Sequence, residues 1–169
     1  MNKRFEDIFV GIDLIGVIAP EEESADFAQN YKEVFGLTDE QVSDSPVAHH
    51  PNSTYYGAPE VPGPGVHTVT FAGMVPQFEC QSPIDGNSSW NDFLKKYGKG
   101  VHHIRYNVRS HEEAVAYLLE RGIHVIHSGD SVRGGGVKFA FYDSIEKLGF
   151  MMETINLEEI AKKNPKSDS

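Results

Sequence analysis

One order of elements occurs twice in this chain of 169 residues: strand, helix, strand, strand, strand. Residues 9–18 (FVGIDLIGVI) form an apolar, β-rich run that Pro20 ends. Across 21–35 the apolar residues Phe27, Tyr31, Val34 and Phe35 fall at the three-and-four spacing of an amphipathic helix, and Gly36 supplies a C-cap. Residues 47–65 are rich in proline and glycine and read as a long loop around one short strand. Two strands, 66–72 and 77–82, then turn near Gly73.

The pattern restarts at residue 101. VHHIRYNV is a strand, Ser110 caps a helix over 111–121 with Ala114, Val115, Leu118 and Leu119 inward, and Gly122 closes it. Strands are predicted at 123–127, 137–142 and 150–155, with a glycine-rich loop at 129–136. The expected organisation is α+β: a first βαβββ module at 9–82, a connector at 83–99 with a short helix capped by Ser88 or Ser89, a second βαβββ module at 100–156, and a polar C-terminal tail at 157–169 that opens on a short frayed helix. Both modules share one curved mixed sheet around a concave cavity, and at roughly 100 to 200 residues per domain the pair makes a single unit.

Charge narrows the partners. Twenty-five acidic against 15 basic side chains give a net charge of −10, and affinity for nucleic acid comes from neutralised phosphates, which needs a basic stripe this chain lacks. Nucleic acid is therefore excluded as a partner, and a small molecule is expected. The single cysteine, Cys80, forms no internal disulfide or zinc clip. Acidic residues break up the start of the chain, no run approaches the roughly 18 apolar residues of a membrane span, and a cytoplasmic location without membrane contact is expected.

Side chains alternate across a strand. In VHHIRYNV, Ile104, Tyr106 and Val108 form a face to pack beneath helices, leaving His103, Arg105 and Asn107 on the other. In QFECQS the apolar face of Phe78 and Cys80 leaves Gln77, Glu79 and Gln81 opposite, and in FMMETI the residues Met151, Glu153 and Ile155 fall with the polar side. A histidine and two glutamates thus line the concave face, a donor set suited to Mn, Co, Fe, Ni or Zn. Read from spacing alone, a strand histidine is more often a hydrogen-bonded structural group than a ligand, and single strand glutamates usually face water. Arg105 would sit in the cavity and clamp a carboxylate or phosphate, or else pair with Glu79 or Glu153. Tyr55 and Tyr56, in the proline-rich loop, are the remaining candidate substrate contacts.

GKGVHHIRYNV, QFECQSP followed by SSWNDFLKKYGKG, and YDSIEKLGFMMETI together resemble the vicinal oxygen chelate (glyoxalase/bleomycin resistance/dioxygenase) superfamily over residues 9–155. The pattern is most similar to methylmalonyl-CoA epimerase-like members. The resemblance implies a divalent metal held by Glu79, His103 and Glu153, with Leu14 where the first ligand, a histidine, is expected. That substitution leaves either three ligands and a weak, exchangeable metal, or no metal. Asp13 would replace it only through a register slip that turns the strand's other face inward.

The implied activity is that of an isomerase, epimerase or related lyase on a small oxygenated or acyl substrate. It proceeds through an enolate-type intermediate, with Glu153 or Glu79 moving the proton. A non-catalytic small-molecule binding protein of the same fold is the alternative, and a dioxygenase comes third, since only one histidine maps to the site. A homodimer, common in the superfamily, is the expected assembly.

Overall fold

The computed structural model describes residues 3–163. A short helix α1 (Phe5–Ile8) leads into β1 (Phe9–Ile18), followed by α2 (Ser24–Phe35), β2 (Val42–His49), a small hairpin of β3 (Thr54–Tyr55) and β4 (Ala58–Pro59), β5 (Gly65–Phe71) and β6 (Gln77–Pro83). Helix α3 (Ser89–Tyr97) connects to β7 (Gly100–Val108), α4 (His111–Leu119), β8 (Val125–Ser131), β9 (Val137–Tyr142), α5 (Ile145–Leu148), β10 (Met151–Ile155) and α6 (Leu157–Lys163). The strands form one strongly curled, open mixed sheet, a half-barrel, in the order β2-β5-β6-β1-β7-β10-β9-β8-β3-β4.

The register carries the duplication. β1 and β7 pair antiparallel at the centre, with Leu14 opposite Arg105 and Gly16 opposite His103. Parallel neighbours flank them, placing Glu79 beside Gly16 and Glu153 beside Arg105. A twofold relating the halves exchanges Leu14 with His103, Gly16 with Arg105 and Glu79 with Glu153, so each glutamate holds the same place in its half.

Helices cover the outer face. Phe27 and Tyr31 of α2 pack on Val69, Phe71 and Cys80, while Ala114 and Leu118 of α4 pack on Phe9, Val108, Tyr142 and Met152. Ser88 and Ser110 cap α3 and α4 by accepting from the backbone N–H of Asn91 and Glu113. On the inner face a second core gathers Trp90 from α3 with Phe139, Phe141, Met151 and Ile155. No helix among the described residues is long and apolar enough to cross a membrane.

Two elements depart from the sequence expectation. The ladder of β2 runs from Val42 to His49, so its last three residues lie in the stretch 47–65 that reads as loop. Five of its eight residues are exposed, and the pairing is interrupted between Ser45 and Ala48, where Pro46 lies, as an edge strand permits. β8 begins at Val125 and continues through Gly129 to Ser131, because pairing with β9 carries it to the turn and shortens the glycine-rich loop. The expected tail is helical to Lys163, and its remainder lies outside the described residues.

Gly16 shows how tightly the centre is built. A Cβ there would lie 1.8 Å from His103 Cε1, so the imidazole occupies the space that any side chain would need. Gly16→Ala is expected to destabilise the protein by about 1–3 kcal/mol in urea unfolding, as overpacking does. In a double-mutant cycle with His103→Ala most of that loss should vanish, because the clashing ring is gone.

Candidate functional site

A cavity of about 320 Å3 opens on the inner face of the half-barrel, and Leu14, Glu79, Arg105 and Glu153 line it. His103, fully buried, lies beneath with Nε2 3.2 Å from Glu153 Oε2 and 3.5 Å from Glu79 Oε1. Neither contact is aligned as a hydrogen bond, which leaves His103 Nε2 and Glu153 Oε2 buried without a partner. Three strands deliver these groups, β6, β7 and β10, each from the face that alternation assigns.

Asp13 reaches the site by a different route. The β1–β7 register shifts between Ile12 and Leu14, so two residues of β1 oppose one of β7. A bulge of this kind re-aims a side chain without flipping the rest of the strand. Asp13 Oδ2 accepts from Arg105 Nε at 3.0 Å and from Arg105 Nη2 at 2.6 Å. Arg105 therefore pairs with Asp13, a partner the sequence pattern does not suggest.

The electrostatics follow from burial against these charges. Desolvation alone would depress the His103 pKa, but the Glu153 and Glu79 carboxylates overrule it and raise it to about 9. Burial would likewise raise Glu79, yet His103 and Arg105 hold its carboxyl below the usual range. Arg105 stays charged, its burial outweighed by Glu153, Asp13 and Glu79. On the opposite side of β7, burial and the His103 charge keep the His102 pKa well below its ordinary value. The protonated His103 consequently donates through Nδ1 to His102 Nδ1 at 2.9 Å, which fixes the ring with Nε2 toward the carboxylates.

Donors bound to one ion at about 2.0–2.2 Å with angles of roughly 90–110° lie about 2.8–3.6 Å apart. The His103–Glu153 and His103–Glu79 separations fall in that range, and two of the atoms involved lack partners. Each of these two separations is one that donors to a shared ion can have. No group of three or more His, Cys, Asp or Glu among the described residues forms a ready-made ligand shell, and Leu14 closes one side with hydrocarbon.

Other expected contacts lie elsewhere. Asn107 Oδ1 accepts from the Leu157 backbone N–H at 3.0 Å and anchors α6. The Tyr55 hydroxyl donates to Asp92 on α3, and Tyr56 lines a separate cavity with Phe93 and Tyr97. In their stead the structure brings to the main cavity Ser43, Ser45, Thr68 and Thr70, and also Trp90, His50 and Arg133. The alternation of Thr68 and Thr70 with Val69 and Phe71 is a legible signal for the hydroxyls, whereas Arg133 sits in a turn where no periodicity applies.

The sequence matches the profile of the glyoxalase/bleomycin resistance protein/dioxygenase superfamily over residues 15–141. The chain belongs to this superfamily. No curated protein matches it in sequence. Among solved structures, methylmalonyl-CoA epimerase from Mycobacterium tuberculosis is similar, with 16% identity, 88% of each chain covered and a TM-score of 0.57. A variant of the Streptomyces coelicolor epimerase in complex with 2-nitronate-propionyl-CoA has 18% identity over 88% of this chain and 97% of its own, with a TM-score of 0.58. A hypothetical protein from Bacillus halodurans C-125 gives 21%, 86%, 92% and 0.56 in the same terms. At these identities the likeness establishes a shared fold.

The raised His103 pKa makes stability pH-dependent. An unfolded imidazole titrates near 6.5, so the stabilisation is fully present below about pH 6.5 and is lost as pH rises through about 9. Urea unfolding in the presence of chelator should show that decline, and His103→Gln should flatten it. Proton and metal compete for the same nitrogen, so the affinity for Mn, Co, Ni or Zn should rise over this window. Calorimetric titration of Arg105→Ala should show metal binding at least about tenfold tighter, because a cation leaves the cavity and Asp13 is left unpaired, with Leu14→His tighter still.

Proposed function

We propose that this chain is an isomerase or epimerase that moves a proton on carbon beside a carbonyl or carboxylate group of a small oxygenated substrate. One observation carries the reading: two buried carboxylates, Glu79 and Glu153, flank one imidazole and a guanidinium in a single cavity. A binding cleft has no need of such a set, since burying acids is costly unless they are paired.

Glu79 remains ionised because its pKa is lowered, which makes it a poor proton carrier and a good electrostatic anchor for His103. Glu153, with one carboxylate oxygen unpartnered, is the group to take the proton. As the C–H bond breaks, its electron pair passes toward the substrate oxygen, where Arg105 supplies a fixed positive charge. Asp13 keeps that guanidinium from collapsing onto the glutamates. A divalent ion held by Glu79, His103 and Glu153 would supply Lewis-acid stabilisation of the same oxygen. Glu153 then returns the proton to the neighbouring carbon, which completes an isomerisation, or to the other face of the same carbon once the intermediate has turned, which completes an epimerisation.

Deuterium incorporation from D2O tests this directly. Nuclear magnetic resonance of a panel of 2-hydroxy, 2-oxo and acyl carboxylates should find a substrate whose hydrogen beside the carbonyl exchanges. Glu153→Gln should slow that exchange by roughly 100-fold or more, the usual contribution of a positioned base. Tight binding with full retention of the hydrogen would instead assign the chain to the non-catalytic binding proteins of its superfamily.

A further inference from the structure

One wall of the cavity is polar, and the strand register shows how. Ser43 lies opposite Thr70, and Thr70 opposite Glu79; in the next row Ser45 lies opposite Thr68, and Thr68 opposite Gln81. All six line the cavity, so the first module presents an ordered array of four hydroxyls ending in a carboxylate and an amide. The second module and α3 contribute apolar and aromatic side chains, Trp90, Phe139 and Ile155, beside the polar Ser131 and Glu153. Two guanidinium groups, Arg105 and Arg133, enter the same space.

We propose that the ligand is a polyhydroxylated carboxylate, a sugar acid. This deepens the proposed function, on whose cavity it rests. An acyl chain laid against the hydroxyl wall would strip water from those groups and return no hydrogen bonds, which is costly for each one. A sugar acid instead offers hydroxyls to those rows, so that each hydrogen bond given up to water is replaced by one to the ligand. Two buried polar atoms on this route lack partners within the protein: Gln81 Oε1, on a side chain only 8% exposed, and Trp90 Nε1. The carboxylate belongs with the guanidiniums. Arg105 commits Nε and Nη2 to Asp13 and keeps Nη1, while Arg133 Nη2 donates to the Thr68 carbonyl at 3.0 Å, which ties that cation to the hydroxyl rows.

Calorimetry with D-glucuronate, valerate and methyl glucoside separates the contributions, because valerate has the carboxylate without hydroxyls and the glucoside has hydroxyls without the carboxylate. Glucuronate should bind at least about tenfold more tightly than either. Thr70→Val and Ser45→Ala, which keep the shape of the wall, should each weaken glucuronate severalfold, as the loss of a hydrogen bond does, and leave valerate unchanged. Valerate binding as tightly as glucuronate would overturn the inference, as would the absence of binding by glucuronate, galacturonate and gluconate at millimolar concentration. The C5 hydrogen of bound glucuronate tells the two proposals apart. Binding without exchange of that hydrogen in D2O removes the proton-transfer reading and leaves the ligand class standing, whereas exchange on acyl acids without uronate binding does the reverse.

Discussion

The close approach of β1 and β7 at Gly16 and His103 governs the rest of the molecule. With no side chain on β1 at that point, the imidazole occupies the seam between the two modules. The neighbouring strands inherit its position: β6 brings Glu79 level with Gly16, and β10 brings Glu153 level with Arg105. A larger residue at 16 would push the ring into the carboxylates. The packing of the seam and the spacing of the site are therefore one constraint.

That spacing creates a cluster that is nearly neutral by itself. Asp13, Glu79 and Glu153 are matched by Arg105, Arg133 and a protonated His103, which is how a chain with ten excess negative charges tolerates three acids in and around one cavity. The same balance sets the terms for any ligand. A divalent ion must displace a proton from His103 and accept Arg105 as a neighbour, while an organic anion meets two guanidiniums already oriented.

Much of this arrangement is legible in the sequence because strands carry a two-residue period. The inner positions of β6, β7 and β10 follow from alternation alone, and with them Glu79, His103, Arg105 and Glu153. Asp13 is not legible, since a bulge depends on the pairing partner and leaves no mark in the strand's own pattern. β2 escapes for a related reason: VSDSPVAH shows no alternation of apolar and polar residues and is held in place by β5 rather than by its own propensity. Asn107 fails in the opposite way. It keeps the expected parity but lies near the end of β7, where the helix that follows β10 uses its carbonyl oxygen.

The prolines at the two margins of the sheet bear on how copies of this protein can meet. β2 closes one margin with Pro46, and the two-residue β4 closes the other with Pro59. Neither margin offers the unbroken row of N–H donors that a strand from another chain would need to extend the ladder. Growth of the sheet from molecule to molecule, the route to runaway aggregation, is blocked at both ends. An open half-barrel that would otherwise invite such stacking is capped by proline at both margins among the described residues.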